Sequence, residues 1–148
     1  MIAVLQRAAD ARVDIDGTTV GAIPQGLVIL LGVFTDDDEE DADYLVDKTA
    51  NLRIFNDDDG KMNLSIRDVG GSALVVSQFT LCADTRKGRR PSYIRAADPE
   101  PAARLYEYYR DNLAQTGIPV ESGEFGAMMD VHLVNKGPVT IILDSKDR

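Results

Sequence analysis

The chain is organised around residues 73–81, which read Ala-Leu-Val-Val-Ser-Gln-Phe-Thr-Leu. A continuous apolar run with adjacent β-branched residues is typical of a strand that is buried on both faces. The polar residues Ser77, Gln78 and Thr80 follow this run directly. Because a buried strand holds the side chains at its end rigidly, the stretch predicts a central strand that carries a candidate site.

A second unusual stretch lies at residues 135–140, which read Asn-Lys-Gly-Pro-Val-Thr. It places Gly137 and Pro138 between two strand-like runs. Proline has no N–H group to donate, so a regular strand would lose a ladder hydrogen bond there. Taken alone, the stretch indicates an ordinary Gly-Pro turn between two strands.

Together, Ser-Gln-Phe-Thr-Leu and Asn-x-Gly-Pro-Val-Thr, in this order and near this separation, resemble the D-aminoacyl-tRNA deacylases. The resemblance extends from the opening Met-Ile-Ala-Val-Leu-Gln-Arg to about Leu143, and it includes Gly-Lys-Met-Asn-Leu at 60–64 and Phe-Gly-Ala at 125–127. It implies a homodimer that hydrolyses the ester bond of D-aminoacyl-tRNA, with the 3′-terminal adenosine bound near the first stretch.

Composition and length set broad limits on the class of protein. The 148 residues, 44% of them hydrophobic and 28% charged, are typical of one soluble globular domain over 1–148 with a polar tail at 145–148. The single cysteine, Cys82, fits a reducing compartment. The N-terminus does not resemble a secretory signal, and the apolar runs are too short to span a bilayer. We therefore expect a cytoplasmic protein without a membrane segment.

The charge is distributed unevenly along the chain. The net charge is −9, yet residues 86–95 carry five positive charges and no acid, which leaves −14 for the other residues. A basic loop on an acidic body suits local contact with a phosphate backbone, although a solvated loop is the plainer interpretation. The residues that we expect to bind tRNA are Arg86, Lys87, Arg89 and Arg90.

Hydrophobic periodicity and turn signals predict the secondary structure. The predicted strands cover residues 2–7, 13–15, 18–20, 26–34, 73–81, 118–120, 127–134 and 139–143, and the predicted helices cover about 35–52 and 98–117. Hairpins alternate with two helical crossovers, which predicts an α/β fold with a mixed, largely antiparallel curled sheet and two main flanking helices. The family resemblance adds a barrel-like, three-layer α/β/β arrangement.

Three side chains are candidates for a nucleophilic mechanism. His132 is the only histidine, and Cys82 follows the central stretch, so a thiol hydrolase that uses both is one hypothesis. A surface histidine and a buried, inert cysteine are the plainer interpretations. Thr80 would need a neighbouring base, and the sequence offers no obvious one. No cluster of histidines and cysteines is present, so no metal or cofactor is expected.

The resemblance implies a mechanism in which no side chain reacts. Backbone N–H groups around Phe79 and Thr80 would face the ester carbonyl and stabilise the oxyanion that forms when water attacks. The ribose 2′-OH of the substrate would help to activate that water. We prefer this mechanism because no base is apparent beside Thr80, and on it the catalytic residues are Ser77, Gln78, Phe79 and Thr80.

The resemblance assigns selectivity to Gly137 and Pro138. It implies a cis peptide bond, with the carbonyl groups reaching the partner subunit's pocket and excluding an L side chain. Ala127 and Met129 are expected at the pocket wall, and Asn135 is expected to bind substrate. A D side chain or glycine would be admitted, so glycyl-tRNA mischarged on tRNA(Ala) is a further expected substrate.

Two points remain open in the sequence. The family most often has aspartate where this chain has Lys136, and we expect that change to affect surface contacts and not catalysis. A catalytically silent module that binds the 3′ end of RNA through the basic loop and Phe79 is the alternative function. An intact Gly-Pro pair argues against it, because a binding module has no need to discriminate chirality.

Overall fold

The computed structural model describes the whole chain, residues 1–148, with eight strands and two α-helices. The strands are β1 (Ile2–Ile15), β2 (Thr18–Ile23), β3 (Gly26–Gly32), β4 (Phe55–Asn56), β5 (Met62–Leu64), β6 (Ser72–Ser77), β7 (Val120–Ser122) and β8 (Asp130–Asp144). The helices are α1 (Glu39–Asn51) and α2 (Pro99–Gln115), and a 3₁₀ turn covers Phe79–Cys82.

Six of the strands form one curled sheet in the order β2-β1-β3-β6-β7, with β8 paired to β1. β1 runs antiparallel to β2, β3 and β8, whereas β6 runs parallel to β3 and to β7. β4 and β5 form a separate small hairpin. The prediction of a mixed, largely antiparallel curled sheet with two main helices is confirmed.

The sheet separates two hydrophobic cores, because alternate residues of its central strands face opposite sides. In β6, Ala73 and Val75 belong to the larger core, and Leu74 and Val76 belong to the smaller one. The apolar faces of α1 and α2 complete the larger core, and the first half of β8 covers the smaller one. This gives the three layers that the resemblance implied.

The hairpin predicted at Asp16-Gly17 is present between β1 and β2. Ile15 pairs with Thr18, so the loop contains two residues, and both have positive φ angles, 49° at Asp16 and 77° at Gly17. Two successive positive φ angles are the signature of the turn type that matches the twist of a β-hairpin.

Both helices lie close to the predicted positions. α1 begins four residues later than predicted, because Asp38 caps it: the Asp38 carboxylate accepts hydrogen bonds from the N–H groups of Glu40 and Asp41, and the Asp41 carboxylate accepts one from the Asp38 N–H. α2 begins at Pro99, and proline is favoured at the first position of a helix. Neither helix is long and apolar enough to cross a membrane.

The central stretch differs from the prediction at its end. β6 stops at Ser77, and the chain turns into the 3₁₀ turn in place of the predicted strand. Ser77 pairs with Leu31, and β3 itself ends one residue later, so no ladder partner remains for a longer strand.

Other strands also differ from the prediction. Residues 130–134 and 139–143 belong to one continuous strand, β8, whereas the predicted residues 127–129 precede it and follow a turn at Phe125 and Gly126. β7 starts at Val120, two residues later than predicted. The short strands β4 and β5 were not predicted.

A buried hydrogen bond joins the two helices inside the larger core. The hydroxyl groups of Thr49 in α1 and Tyr109 in α2 lie 2.7 Å apart, and both residues are completely buried. Burial raises the pKa of Tyr109 well above its usual value, so its hydroxyl is protonated. Each hydroxyl therefore depends on the other for a partner.

Substitution of Thr49 by valine should destabilise the protein by about 1–3 kcal/mol, because the Tyr109 hydroxyl is then buried without its partner. Adding Tyr109→Phe to the same chain should recover most of that loss, since no unpaired polar group remains. The measurement is the free energy of unfolding in urea for both single variants and the double variant. Strictly additive losses in the double variant would show that the two hydroxyl groups do not interact.

Candidate active site

A cavity of about 790 Å³ opens at the end of β6. Its walls come from the ends of β3 and β6, the start of α2 and the segment that leads into β8. Six of the residues predicted to form the site line it together: Ser77, Gln78, Phe79, Thr80, Ala127 and Met129.

The end of β6 leaves backbone N–H groups free at the cavity. The Gln78 N–H donates to the Leu31 carbonyl at 2.8 Å, which fixes the strand end to β3. The first hydrogen bond of the 3₁₀ turn runs from the Leu81 N–H to the Gln78 carbonyl at 3.1 Å. The N–H groups of Phe79 and Thr80 precede that bond, so they have no partner within the turn. They are donors that a bound carbonyl group can use.

The Thr80 hydroxyl is not activated as a nucleophile. It accepts a hydrogen bond from the Gln78 side-chain amide at 2.5 Å. An amide is not a base, and it cannot take the hydroxyl proton. The contact orders the start of the 3₁₀ turn, so Thr80 has a structural role there.

Aromatic contacts hold the inner wall of the cavity. The Tyr106 hydroxyl donates to the Val75 carbonyl at 2.9 Å, which ties α2 to β6. The Tyr106 ring lies against the Phe125 ring, with centroids 5.8 Å apart. The turn after Phe125 is closed by a hydrogen bond from the Ala127 N–H to the Glu124 carbonyl at 3.2 Å. Ala127 and its neighbours are therefore held at a fixed place on the wall.

The Asn-Lys-Gly-Pro-Val-Thr stretch forms a loop within β8. On either side of it, Gln6 pairs with Thr140 and Ala8 pairs with Asn135. Between these pairs β1 has the single residue Arg7, whereas β8 has four residues. The extra residues of β8 must therefore leave the ladder and project from the sheet.

Side chains at the base of this loop fix its shape. The Asn135 side chain accepts a hydrogen bond from the Val139 N–H at 2.8 Å and donates one to the Thr140 hydroxyl at 3.0 Å. The Gly137–Pro138 peptide bond is cis. Gly137 has a φ angle of 140°, which an L side chain rarely adopts.

Arg7 is the functional candidate that the sequence did not reveal. Its guanidinium group donates to the carbonyl groups of Lys136, at 2.9 Å, and Ile54, at 3.0 Å. A Cβ atom on Gly137 would lie only 2.8 Å from Nη2 of Arg7. The only signal available from sequence was an arginine in the opening strand, and nothing indicated that it faces the loop.

Within one chain, the loop and the cavity remain separate. Asn135, Gly137 and Pro138 do not line the 790 Å³ cavity. Lys136 borders a different, smaller cavity of about 410 Å³ beside Arg7 and Phe55. One chain therefore brings together the predicted catalytic and wall residues, but not the predicted Gly-Pro selectivity element.

The basic loop is a narrow hairpin, here called the basic hairpin (residues 84–92). Asp84 and Ser92 exchange two backbone hydrogen bonds at its base, at 2.8 and 2.9 Å. The Asp84 carboxylate accepts hydrogen bonds from Nε and Nη2 on one edge of the Arg86 guanidinium group and from the Arg86 N–H. These contacts hold the pKa of Asp84 well below its usual value.

The cations of the basic hairpin are thus of two kinds. Arg86 is paired with Asp84, and its charge is locally neutralised. Lys87, Arg89 and Arg90 are exposed and form no ion pair within the chain. These three offer a phosphate group a positive charge that no acidic side chain of the chain compensates.

Cys82 and His132 do not form a nucleophilic pair. Cys82 is buried and donates to the Val33 carbonyl at 3.4 Å. Burial, with a smaller contribution from the charge of Asp37, raises the pKa of the Cys82 thiol to about 11. His132 instead lies 3.4 Å from the Asp14 carboxylate, on the exposed side of β8. The hypothesis of a thiol hydrolase is therefore wrong.

Comparison with known proteins agrees with this geometry. The chain matches the family model described as D-Tyr-tRNA(Tyr) deacylase over residues 4–144. It is 58% identical to a D-aminoacyl-tRNA deacylase of Halalkalibacterium halodurans over 146 residues, which cover 99% of this chain and 100% of the relative. A D-aminoacyl-tRNA deacylase of Thermus aquaticus is 55% identical over 148 residues, 100% of this chain and 97% of the relative.

The fold has a counterpart among solved structures. The structure of the c-Myc DNA Unwinding Element Binding Protein superimposes with a TM-score of 0.92 at 39% sequence identity, covering 97% of this chain and 98% of that one. The family model and the curated relatives extend over almost the entire sequence. This chain belongs to the D-Tyr-tRNA(Tyr) deacylase family.

Proposed function

We propose that this protein hydrolyses the ester bond of D-aminoacyl-tRNA and releases the free D-amino acid and tRNA. The observation that carries the proposal is the pair of free N–H groups, those of Phe79 and Thr80, at the cavity of a chain that belongs to this family. Relatives that are 55–59% identical are named D-aminoacyl-tRNA deacylases. Proofreading of chirality during translation, in the cytoplasm, is the corresponding role.

Hydrolysis on this proposal needs no reactive side chain. A water molecule attacks the ester carbonyl carbon, and the carbonyl oxygen becomes an oxyanion that accepts hydrogen bonds from Phe79 and Thr80 N–H. The bond to the ribose oxygen then breaks, and that oxygen takes a proton. The substrate's own 2′-OH helps to move the proton from the water. The amide contact of Thr80, which supplies no base, supports this route over attack by the hydroxyl.

Selectivity on this proposal comes from a second copy of the chain. The loop around Gly137 and Pro138 projects from the sheet, and it lies outside the cavity of its own chain. In a homodimer, the loop of one protomer would reach the cavity of its partner and exclude an L side chain by steric clash. Glycine has no side chain to clash, so glycyl-tRNA on tRNA(Ala) would also be hydrolysed.

The direct test uses one tRNA charged with either D-tyrosine or L-tyrosine. Purified protein should release D-tyrosine and leave L-tyrosine attached. Equal hydrolysis of both esters would reject the chiral function. Binding of the charged tRNA without release of either amino acid would favour the alternative, a module that only binds the 3′ end.

Substitution of Thr80 by alanine should lower kcat by less than about tenfold, because it removes an ordering contact and not a nucleophile. Loss of a true nucleophile costs several orders of magnitude, on the order of 10⁶-fold in a well-studied protease. Ala127→Phe, or a comparably bulky change at Met129, should abolish hydrolysis by filling the cavity. The measurement is single-turnover release of D-tyrosine. A folded Thr80→Ala protein that binds tRNA but shows no chemistry would restore the nucleophile mechanism.

Substitution of Gly137 by alanine should displace the loop, because its Cβ atom would lie 2.8 Å from Arg7 and 3.0 Å from Val139. A displacement of about 1 Å at a reacting site costs on the order of 10²-fold. We therefore expect hydrolysis of D-tyrosyl-tRNA to fall by about that factor, and the D-to-L hydrolysis ratio to fall with it. The measurement is that ratio on one tRNA.

Two further variants make the loop experiment specific. Gly60→Ala places alanine at another positive φ angle, 76°, with no atom near its Cβ, and it should leave the D-to-L ratio unchanged. Arg7→Lys keeps the charge but loses the planar guanidinium group that donates to two carbonyl groups. It should therefore lower the D-to-L ratio as Gly137→Ala does. A normal ratio in folded Gly137→Ala and Arg7→Lys proteins would contradict the role of the loop.

Replacement of Lys87, Arg89 and Arg90 by glutamine should weaken tRNA binding and flatten its salt dependence. Each lost phosphate contact lowers the slope of log affinity against log salt by about 0.7–0.9, so the triple variant should lose roughly 2 from the slope. The matched control replaces Lys48, Arg67 and Arg104, which lie outside the basic hairpin, by glutamine. If both triple variants show the same slope as the unmodified protein, the basic hairpin is only a solvated surface.

A further inference from the structure

An apolar patch lies at the cavity: Phe79, Tyr93 and Met128 line it, and Ile94 follows Tyr93 in the chain. Phe79, Ile94 and Met128 are 58%, 83% and 91% exposed, and Tyr93 is 38% exposed. The rings of Phe79 and Tyr93 meet edge to face, with centroids 5.1 Å apart. A single exposed apolar residue is ordinary, but several around one cavity indicate a contact surface.

The part of this patch formed by Tyr93 and Ile94, here called the ledge, is fixed in place. The Ala96 N–H donates to the Tyr93 carbonyl at 2.9 Å and closes a turn around Ile94. The next residue, Arg95, accepts a hydrogen bond from the Thr35 N–H at 3.0 Å, and its guanidinium group lies 4.9 Å from the centre of the Phe34 ring. The exposure of Ile94 is therefore a property of a well-anchored turn.

The ledge lies between the cavity and the free cations along the chain. On one side Tyr93 lines the cavity and touches Phe79. On the other side Ser92, the residue before it, closes the base of the basic hairpin with Asp84. Lys87, Arg89 and Arg90 follow beyond that base, without acidic partners. A polymer whose end occupies the cavity would meet apolar surface first and positive charge second.

This order of surfaces fits one kind of partner. A single-stranded polynucleotide presents bases that stack on aromatic and apolar side chains and phosphates that need cations. A duplex hides its base faces. The rest of the chain carries −14 and repels a polyanion, so the charge complementarity is confined to the hairpin.

We propose that Tyr93 and Ile94 form a stacking ledge for the unpaired nucleotides that precede the terminal adenosine, and that the strand continues onto Lys87, Arg89 and Arg90. The inference rests on the proposed function for the identity of the RNA. Arg86 is a positioning residue in this arrangement. Its guanidinium group is paired with Asp84, so it stabilises the base of the hairpin and is not assigned to a phosphate.

The test measures equilibrium binding of two uncharged RNA hairpins by fluorescence anisotropy, one with a short unpaired 3′ tail and one without it. Stacking of one base contributes about 1–3 kcal/mol, so Tyr93→Ala should weaken binding of the tailed RNA roughly 5- to 150-fold. Ile94→Ser should act in the same direction. Binding of the tailless RNA should change by less than twofold in both variants.

Two control variants accompany these. Tyr93→Phe keeps the ring and should retain the affinity for tailed RNA. Val20→Ser removes an apolar side chain that is 45% exposed on β2, and it should have no effect on either RNA. Circular dichroism and the mass of the protein in solution are recorded for every variant.

Each outcome decides the proposal. An equal loss on both RNAs, or no loss on the tailed RNA, would overturn the ledge. A loss that is accompanied by a change in the association state would also overturn it, and would assign the patch to a second copy of the chain. If the variants behave as expected while the unmodified protein leaves D-tyrosyl-tRNA intact, the ledge stands and the proposed hydrolysis fails.

Discussion

The candidate site depends on how a strand in the middle of a sheet comes to an end. β6 lies between β3 and β7, and residues 73–76 are almost completely buried on both faces. When β3 ends, β6 loses its ladder partner, and the chain folds back into a tight turn. The first N–H groups of that turn, those of Phe79 and Thr80, have no partner, and both residues line the cavity. A rigid, pre-oriented pair of donors is what stabilisation of an oxyanion requires, because no energy is then spent on reorienting them during the reaction.

A second constraint shapes the loop that contains Gly137 and Pro138. One residue of β1 stands opposite four residues of β8, so the ladder cannot stay regular. Arg7 compensates by donating to the carbonyl group of Lys136 in the loop and to that of Ile54 just before β4, and Asn135 closes the base of the loop. Side-chain hydrogen bonds therefore hold the loop at its base. In the proposed dimer, the end of β6 stabilises the oxyanion and the loop excludes an L side chain. Each site therefore takes the strand end from one protomer and the loop from the other.

Much of this architecture could be predicted from sequence, because short local patterns of residues determine it. The buried run before Ser77, the Asp16-Gly17 turn and the two amphipathic helices each have a short-range signature. The end of β6 and the continuity of β8 could not be predicted in the same way, since they depend on where a neighbouring strand stops and on how two distant strands pair. Arg7 illustrates the limit most clearly, because its partners lie 47 and 129 residues away in the sequence. The pairing of Arg86 with Asp84 is local, but only the geometry distinguishes it from the free cations beside it.

The central claim is that a complete site needs the cavity of one copy and the loop of another. Two variants, Ala127→Phe in the cavity and Gly137→Ala in the loop, are each expected to lose most of their activity on D-tyrosyl-tRNA, and they can be co-expressed so that they form mixed dimers. Random pairing makes half of the dimers mixed, and each mixed dimer has one intact cavity facing one intact loop, so about a quarter of the unmodified activity on D-tyrosyl-tRNA should return. If the mixture is no more active than the two parents measured separately, the cavity and the loop do not act across subunits, and the account is contradicted.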